Sequence, residues 1–283
     1  ITRPDAVVIA TPPDTHADIA IRCIEAGASV LVEKPLALSS RDCDKIIAAA
    51  EKHKKVCMVD HTFCYSPPVE AMEQLINNGS IGDLLYYDSV RVNLGGFQPK
   101  TNVLWDLAPH DLSILDLWTG NKTPVSVTAI GKKHFGSPIE NMCYVNLLYD
   151  NDFIAHLHIN WAAPVKVRQI MVGGTEKMAI YDDNLPSEKL RIYDKGVEFK
   201  DSSEDTFRIN YRSGTMIAPV IEQSEPLYSM VSEFLNSVKE HRAPKTDAYS
   251  GRRIVSILES ISESLSSGGQ PIKIDQKDHL KTA

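Results

Sequence analysis

The feature that most constrains this chain is the way its first third is punctuated. Three short apolar runs, "AVVIAT", "SVLVEK" and "VCMVD", are each separated by a stretch with helical periodicity. Continuous apolar runs of strand length are buried on both faces, as in a parallel sheet. Between the first two, Ala17, Ala20, Ile21 and Ile24 fall on one helical face, with Asp14 as the expected cap and Gly27 as the stop. Between the second and third, Ser39 or Ser40 starts a helix burying Cys43, Ile46, Ile47 and Ala50. Strand, helix, strand, helix, strand with short links admits only parallel strands joined by crossovers.

After a further helix from Pro67–Pro68 to Gly79, the pattern changes. "LLYYDSVRVNL" is a long strand, and "NVLWDLAPHDLSIL" is a helix. "VSVTAIG", "NMCYVNLLYD", "DFIAHLHINWA", "KVRQIMVGG", "KMAIYDD" and "KLRIYD" then follow as strands. Turns at Asp150-Asn151-Asp152 and Gly173-Gly174 make hairpins, so this sheet is mostly antiparallel. Two helices close the pattern, from Pro226 to about Glu240 and from Asp247 to about Ser266. The expected fold class is α/β: residues 1–81 form part of a doubly wound parallel-sheet domain, and 82–283 form an α+β domain with an open sheet.

Net charge is −7 and basic residues form no cluster, which argues against a nucleic-acid partner. No apolar run reaches the ~20 residues that span a membrane. Five cysteines with no CxxC spacing suit free thiols in a reducing cytoplasm better than zinc or disulfides. No metal site is expected; His156 and His158 share a strand face but have no third ligand at suitable spacing. They line either a substrate cleft or a subunit contact.

Ligands of open α/β sheets bind beyond the carboxyl ends of the strands. Those ends carry "ATPPDTH", "EKPL" and "DHTFCYSP". Lys34 stands at the rim, either polarising a hydroxyl or carbonyl or closing a strand-end salt bridge. Asp106 and His110, four residues apart, share a helix face, where a carboxylate can orient an imidazole and raise its proton affinity. The same spacing also occurs on quiet surface helices. Arg91 with Asn93, and Lys166 with Arg168, each share a strand face; each pair is either a solvated edge or a substrate contact, the latter suiting a diphosphate. Trp105 either packs beside the helix or meets substrate, and "FQPKT" before it is a loop. His61 is either structural or a contact to cofactor or substrate.

Together, "PDAVVIATPPDTH", "VLVEKPLALS" and "WDLAPHD", in this order, resemble the Gfo/Idh/MocA family of NAD(P)-dependent oxidoreductases. The likeness covers nearly the whole chain, and "RVNLGGFQPKTNVLWDLAPHDLSIL" and "NWAAPVKVRQIMVGG" most resemble members acting on nucleotide-linked sugars, such as UDP-N-acetylglucosamine 3-dehydrogenases. The resemblance implies that Thr11, Pro12 and His16 form the loop beside the nicotinamide and its ribose. It places Glu33 near that ribose, with Lys34 and Pro35 completing the motif, and Lys34 near the reacting carbon. It implies that His110 moves the proton, that Asp106 supports it, and that the chain pairs as a homodimer or homotetramer through its open sheet.

Two departures stand out. None of the fifteen glycines forms a G-x-G-x-x-G, the phosphate-binding turn that the family places upstream of the strand beginning at Pro4. The expectation is an N-terminally shortened chain that binds NAD poorly, with an open sheet edge. The residue choosing between NAD and NADP would lie in that upstream segment. Second, "DHTFCYSP" carries His61 and Thr62 where many members have an Asn-Arg pair. The expected activity is hydride transfer from a ring hydroxyl of a sugar, probed against two alternatives: a non-catalytic sugar-binding protein, and an inositol, polyol or free-sugar dehydrogenase.

Overall fold

The computed structural model describes residues 3–98, 101–200 and 208–274. Part of the loop expected at "FQPKT" (99–100) lies outside them. In chain order, β1 (Ala6–Ile9), α1 (His16–Glu25), β2 (Ser29–Val32), α2 (Ser40–His53) and β3 (Cys57–Val59) build the expected alternation. Among the described residues the three strands form one parallel sheet in the order β1-β2-β3. Val8 on β1 is 62% exposed, as befits an edge strand. Ser39 caps α2 by accepting from the Asp42 amide at 3.1 Å. Asp14 does not cap α1: a 3-10 turn over Pro13–Thr15 precedes it, because Pro13 fixes the first turn.

After a 3-10 turn at Thr62–Tyr65 come α3 (Pro67–Asn77), β4 (Leu84–Leu94) and α4 (Val103–Trp118). Strands β5 (Ser126–Lys132), β6 (Met142–Leu148), β7 (Ile154–Asn160), β8 (Ala162–Gly174), β9 (Met178–Asp182), β10 (Leu190–Lys200) and β11 (Arg208–Ile217) follow. Then come α5 (Pro226–Glu240), α6 (Ala248–Ser266) and β12 (Ile272–Lys273). Among the described residues the second sheet has nine strands, ordered β11-β10-β9-β8-β4-β7-β6-β5-β12. Its pairs are antiparallel except β4–β7, where Asp88 faces His156 and Arg91 faces Ile159. Strand β11 was not expected: Arg208–Ile217 alternates weakly, and its pairing with β10 is a long-range choice.

One face of the large sheet packs on α4 and α6 through Leu112, Leu115, Val145, Leu157, Ile159, Leu258 and Ile261. The last two helices return to the small sheet. Helix α5 covers Leu31 and Met58 with Met230 and Phe234, while α6 brings Ala248 and Val255 against Val32 and Val59. Gly251 permits this approach, since a Cβ there would stand 2.6 Å from Val59 Cγ2. Cys43, Cys57, Cys64 and Cys143 are buried and free. No helix among the described residues is long and apolar enough to cross a membrane.

Candidate active site

The carboxyl ends of β1, β2 and β3 lie side by side. Glu33 N donates to Ile9 O at 2.9 Å and Asp60 N to Val32 O at 2.8 Å, so the loops leaving the three strands share one rim. His16, fully buried, locks two of these loops together: Nδ1 lies 2.9 Å from Pro35 O and Nε2 lies 2.9 Å from Thr11 O. Thr11 and Pro12 stay exposed at the rim. The Lys34–Pro35 peptide is cis. Burial, and then the neighbouring Asp60 carboxylate, raise the Glu33 carboxyl above its usual range.

Across this rim stands the amino end of α4. Asn102 caps it, accepting from Trp105 N at 3.2 Å and donating to Glu140 Oε2 at 3.1 Å. Lys34 Nζ reaches from β2 to donate to Asp106 O at 2.7 Å and to Asp106 Oδ1 at 3.3 Å. The other oxygen, Oδ2, accepts from Trp161 Nε1 at 3.3 Å. Asp106 therefore holds the lysine and the indole rather than His110. The expected raising of histidine basicity does not occur. Burial first, then the charges of Arg91, Lys34, His61 and Arg168, push His110 well below the ordinary imidazole range. His110 keeps partial exposure, but its Nδ1 is buried without a partner.

Other candidates divide. Asn93, Lys166 and Arg168 line a cleft of about 480 Å³ with Asp106, Leu107 and Trp161. Arg168 also pairs with Asp183 at 3.4 Å, whereas Lys166 Nζ has no ion pair among the described residues. Arg91 is corrected from substrate contact to internal ion pair: it is 3% exposed and holds Asp111 through Nε at 2.9 Å and Nη2 at 2.8 Å. It shares the Asn93 face of β4 but lies further down the strand, beneath α4, where Asp111 meets it. Trp105 is likewise a packing residue, donating to Ser262 Oγ at 3.0 Å and touching the cores of both sheets. His61 is 1% exposed and does not face the cleft; burial, then Lys34, lowers it to about 3. His156 and His158 stack on Tyr144 on the opposite, uncovered face of the sheet.

Sequence reasoning passed over Phe63. Its ring meets His110 edge-on at 5.1 Å and carries the Arg91 guanidinium over its face at 4.6 Å. Only the tertiary fold brings β3, β4 and α4 together here, so no local spacing signals it. Asp111 was equally hidden beside His110.

Residues 1–61 match the model of an oxidoreductase family with an NAD-binding Rossmann fold, and residues 69–180 match the Gfo/Idh/MocA C-terminal domain. This chain belongs to the Gfo/Idh/MocA family of oxidoreductases. Within the family, it is 25% identical over 261 residues to UDP-N-acetylglucosamine 3-dehydrogenase of Acidithiobacillus ferrooxidans, covering 89% of this chain and 75% of that one. A solved structure of that dehydrogenase superposes with a TM-score of 0.75 over 93% of this chain and 79% of that one, at 24% identity. An inositol dehydrogenase homolog from Azotobacter vinelandii, complexed with NADH and myo-inositol, gives 0.76 at 17% identity over 95% of this chain and 78% of that one. A 2,7-anhydro-N-acetylneuraminate hydratase of Mediterraneibacter gnavus is 28% identical over 61% of this chain, which spans 50% of that relative.

The rim suits a nicotinamide nucleotide. It lies at strand carboxyl ends, where such cofactors sit, with Thr11 and Pro12 exposed along it and the Lys34 ammonium held at its edge by Asp106. Thr11, Pro12, Glu33, Lys34 and Pro35 are the residues that would hold it, with His16 fixing their loops.

Proposed function

We propose that this protein is an NAD-dependent dehydrogenase that oxidises a ring hydroxyl of a sugar, in the cytoplasm. The observation that carries this is the Lys34–Asp106 link, which joins the cofactor rim to the substrate cleft one helical turn from His110. Bound nicotinamide supplies a hydride acceptor; the chain handles the proton and the orientation. An alcohol oxygen placed near Lys34 Nζ meets an ammonium already aimed by Asp106. That charge stabilises alkoxide character as the proton leaves. His110, kept neutral by burial and surrounding cations, is in the form that accepts the proton, through Nε2, the nitrogen not sealed in the interior.

The substrate class follows from the cleft's charge. Lys166 and Arg168 lie in the same cleft as Asp106, and Lys166 has no ion pair among the described residues, which supports a sugar bearing a phosphate or a nucleotide diphosphate. The uncovered sheet face, where exposed Ile130, Tyr144, Leu148 and Ile154 adjoin, supports a homodimer or homotetramer.

The test is NADH formation by the full-length protein with nucleotide sugars, free sugars and inositols. His110→Ala is expected to lower turnover about 10²-fold or more. Lys166→Glu is expected to raise KM for nucleotide sugars only. Inactivity on every substrate, with sugar binding retained, would leave the non-catalytic reading; an effect of Lys166→Glu equal on free and nucleotide-linked sugars would remove the phosphate role.

A further inference from the structure

Two arginines stand directly opposite each other where β4 pairs with β8: Arg91 faces Arg168. Side chains so placed leave the same face of a sheet, and like charges there repel. Each guanidinium has its own carboxylate, but the two pairs differ in tightness. Arg91 is 3% exposed and holds Asp111 through three bonds of 2.8, 2.9 and 3.0 Å, so it is fixed. Arg168 meets Asp183 through Nη1 alone, at 3.4 Å, and keeps 34% of its side chain exposed, along the cleft that holds Asp106. Asp183 does not depend on it. Lys189 Nζ donates to Asp183 Oδ1 at 3.1 Å, and the Tyr181 hydroxyl donates to the same oxygen at 3.3 Å. Arg168 can therefore turn to another anion without stranding a buried charge. One aromatic ring touches both cations. Phe63, from the turn after β3, lies 4.6 Å from the Arg91 guanidinium and 5.8 Å from that of Arg168, and it meets His110 edge-on at 5.1 Å.

We propose that Phe63 is a specificity-determining positioning residue: its ring, seated on the fixed Arg91, holds the Arg168 guanidinium toward the cleft, where it receives the phosphate of an anionic substrate. This rests on the reading above of a dehydrogenase acting on phosphate-bearing or nucleotide-linked sugars, and names what sets that preference. The ring does so by competing with Asp183. A guanidinium is attracted to an aromatic face, and the attraction grows as water is excluded. Without the ring, Asp183 is the partner left to Arg168 among the described residues, and the side chain settles there, away from the substrate. With the ring, Arg168 stands between the two, in the same cleft as Lys166 on its own strand, so that two cations converge on one diphosphate. The fixed Arg91–Asp111 pair supplies the footing, which a mobile arginine could not.

Calorimetric titration of the full-length protein with inorganic pyrophosphate tests this, with NADH present throughout to occupy the cofactor's own phosphate site. Phe63→Leu is expected to weaken pyrophosphate binding about fivefold, the worth of one partly exposed cation–aromatic contact. Phe63→Tyr, which keeps the ring face, is expected to bind as wild type does. In an Arg168→Met background, Phe63→Leu is expected to change binding by less than about twofold, because the ring then has no cation to aim. Phe63→Met, which retains more volume, takes the place of the leucine variant should that variant not fold. In turnover, Phe63→Leu is expected to lower the ratio of kcat/KM for nucleotide-linked over free sugars by the same factor; a loss common to both substrates reports on His110 and cancels in the ratio. Wild type that does not bind pyrophosphate, a leucine variant that binds it as tightly, a tyrosine variant that loses as much, or a loss that persists without Arg168 would each overturn the proposal. If wild type forms no NADH from any sugar, it is the dehydrogenase function that fails, while the titrations, which need no turnover, still decide the role of Phe63.

Discussion

Replacing His61 by Phe should flatten the acid sensitivity of the fold. His61 is fully buried and its imidazole is lowered from 6.5 to about 3, by burial first and then by the Lys34 charge. A histidine with a depressed folded value binds its proton more readily when unfolded. Its contribution to stability is therefore complete above 6.5 and is lost as pH falls from there toward about 3. Between about pH 8 and about pH 5, linkage makes this loss about 2 kcal/mol for one such group, since the unfolded state is then roughly thirtyfold more protonated than unprotonated. His110, lowered in the same direction, adds to the loss in wild type and variant alike. The difference in unfolding free energy between His61→Phe and wild type should thus grow by about 2 kcal/mol in the variant's favour over that interval. Urea unfolding at the two pH values measures it, with equal m-values as the check that only stability has changed. Parallel pH dependences for the two proteins would refute the reasoning, because they would mean that His61 is protonated equally in folded and unfolded chains.

The buried pair between β4 and α4 gives a second expectation: Arg91→Met alone should cost about 3–5 kcal/mol by stranding Asp111, whereas Arg91→Met with Asp111→Leu should recover most of it. Denaturant midpoints of the single and double variants decide this, and equal losses would show that the pair does not act as a unit. Because His110 is held well below 6.5, the acid limb of kcat/KM for alcohol oxidation should fall below pH 6.5; a limb at or above that value would show that the folded site does not depress it. Gly251→Ala should cost about 1–3 kcal/mol, since its Cβ would meet Val59 Cγ2 at 2.6 Å and Leu36 Cβ at 3.1 Å. An unchanged melting temperature would mean that α6 can step back from the small sheet freely.

The alternation of strands and helices was legible because each element announces itself locally. Apolar runs of four or five residues, Ser39 at a helix start and Gly27 beyond a helix end all act within a few positions. Strand β11 was not legible, because its partner is chosen by the edge that β10 presents and not by its own alternation. The site shows the same division more sharply. Spacing correctly put Asp106 and His110 on one helix face, but spacing cannot say who stands opposite. Asp106 meets Lys34 and Trp161, residues 72 and 55 positions away, and so is not left to serve His110.

Helix α4 shows most clearly what local sequence does not carry. Its polar residues Asp111, Ser113 and Asp116 are of types that helices usually turn to solvent, yet all three are buried. Each has a partner from elsewhere or from its own backbone: Arg91 on β4, the His110 carbonyl, and Arg253 on α6. Two buried carboxylates on a single helix, each matched by an arginine from a different element, fix that helix in rotation as well as in depth, since a turn of the helix would strand both charges. That constraint is what His110 needs. A proton acceptor must hold one ring edge outward and the other toward the interior, and the ion pairs at Asp111 and Asp116, which follow it along α4, leave the helix no other orientation.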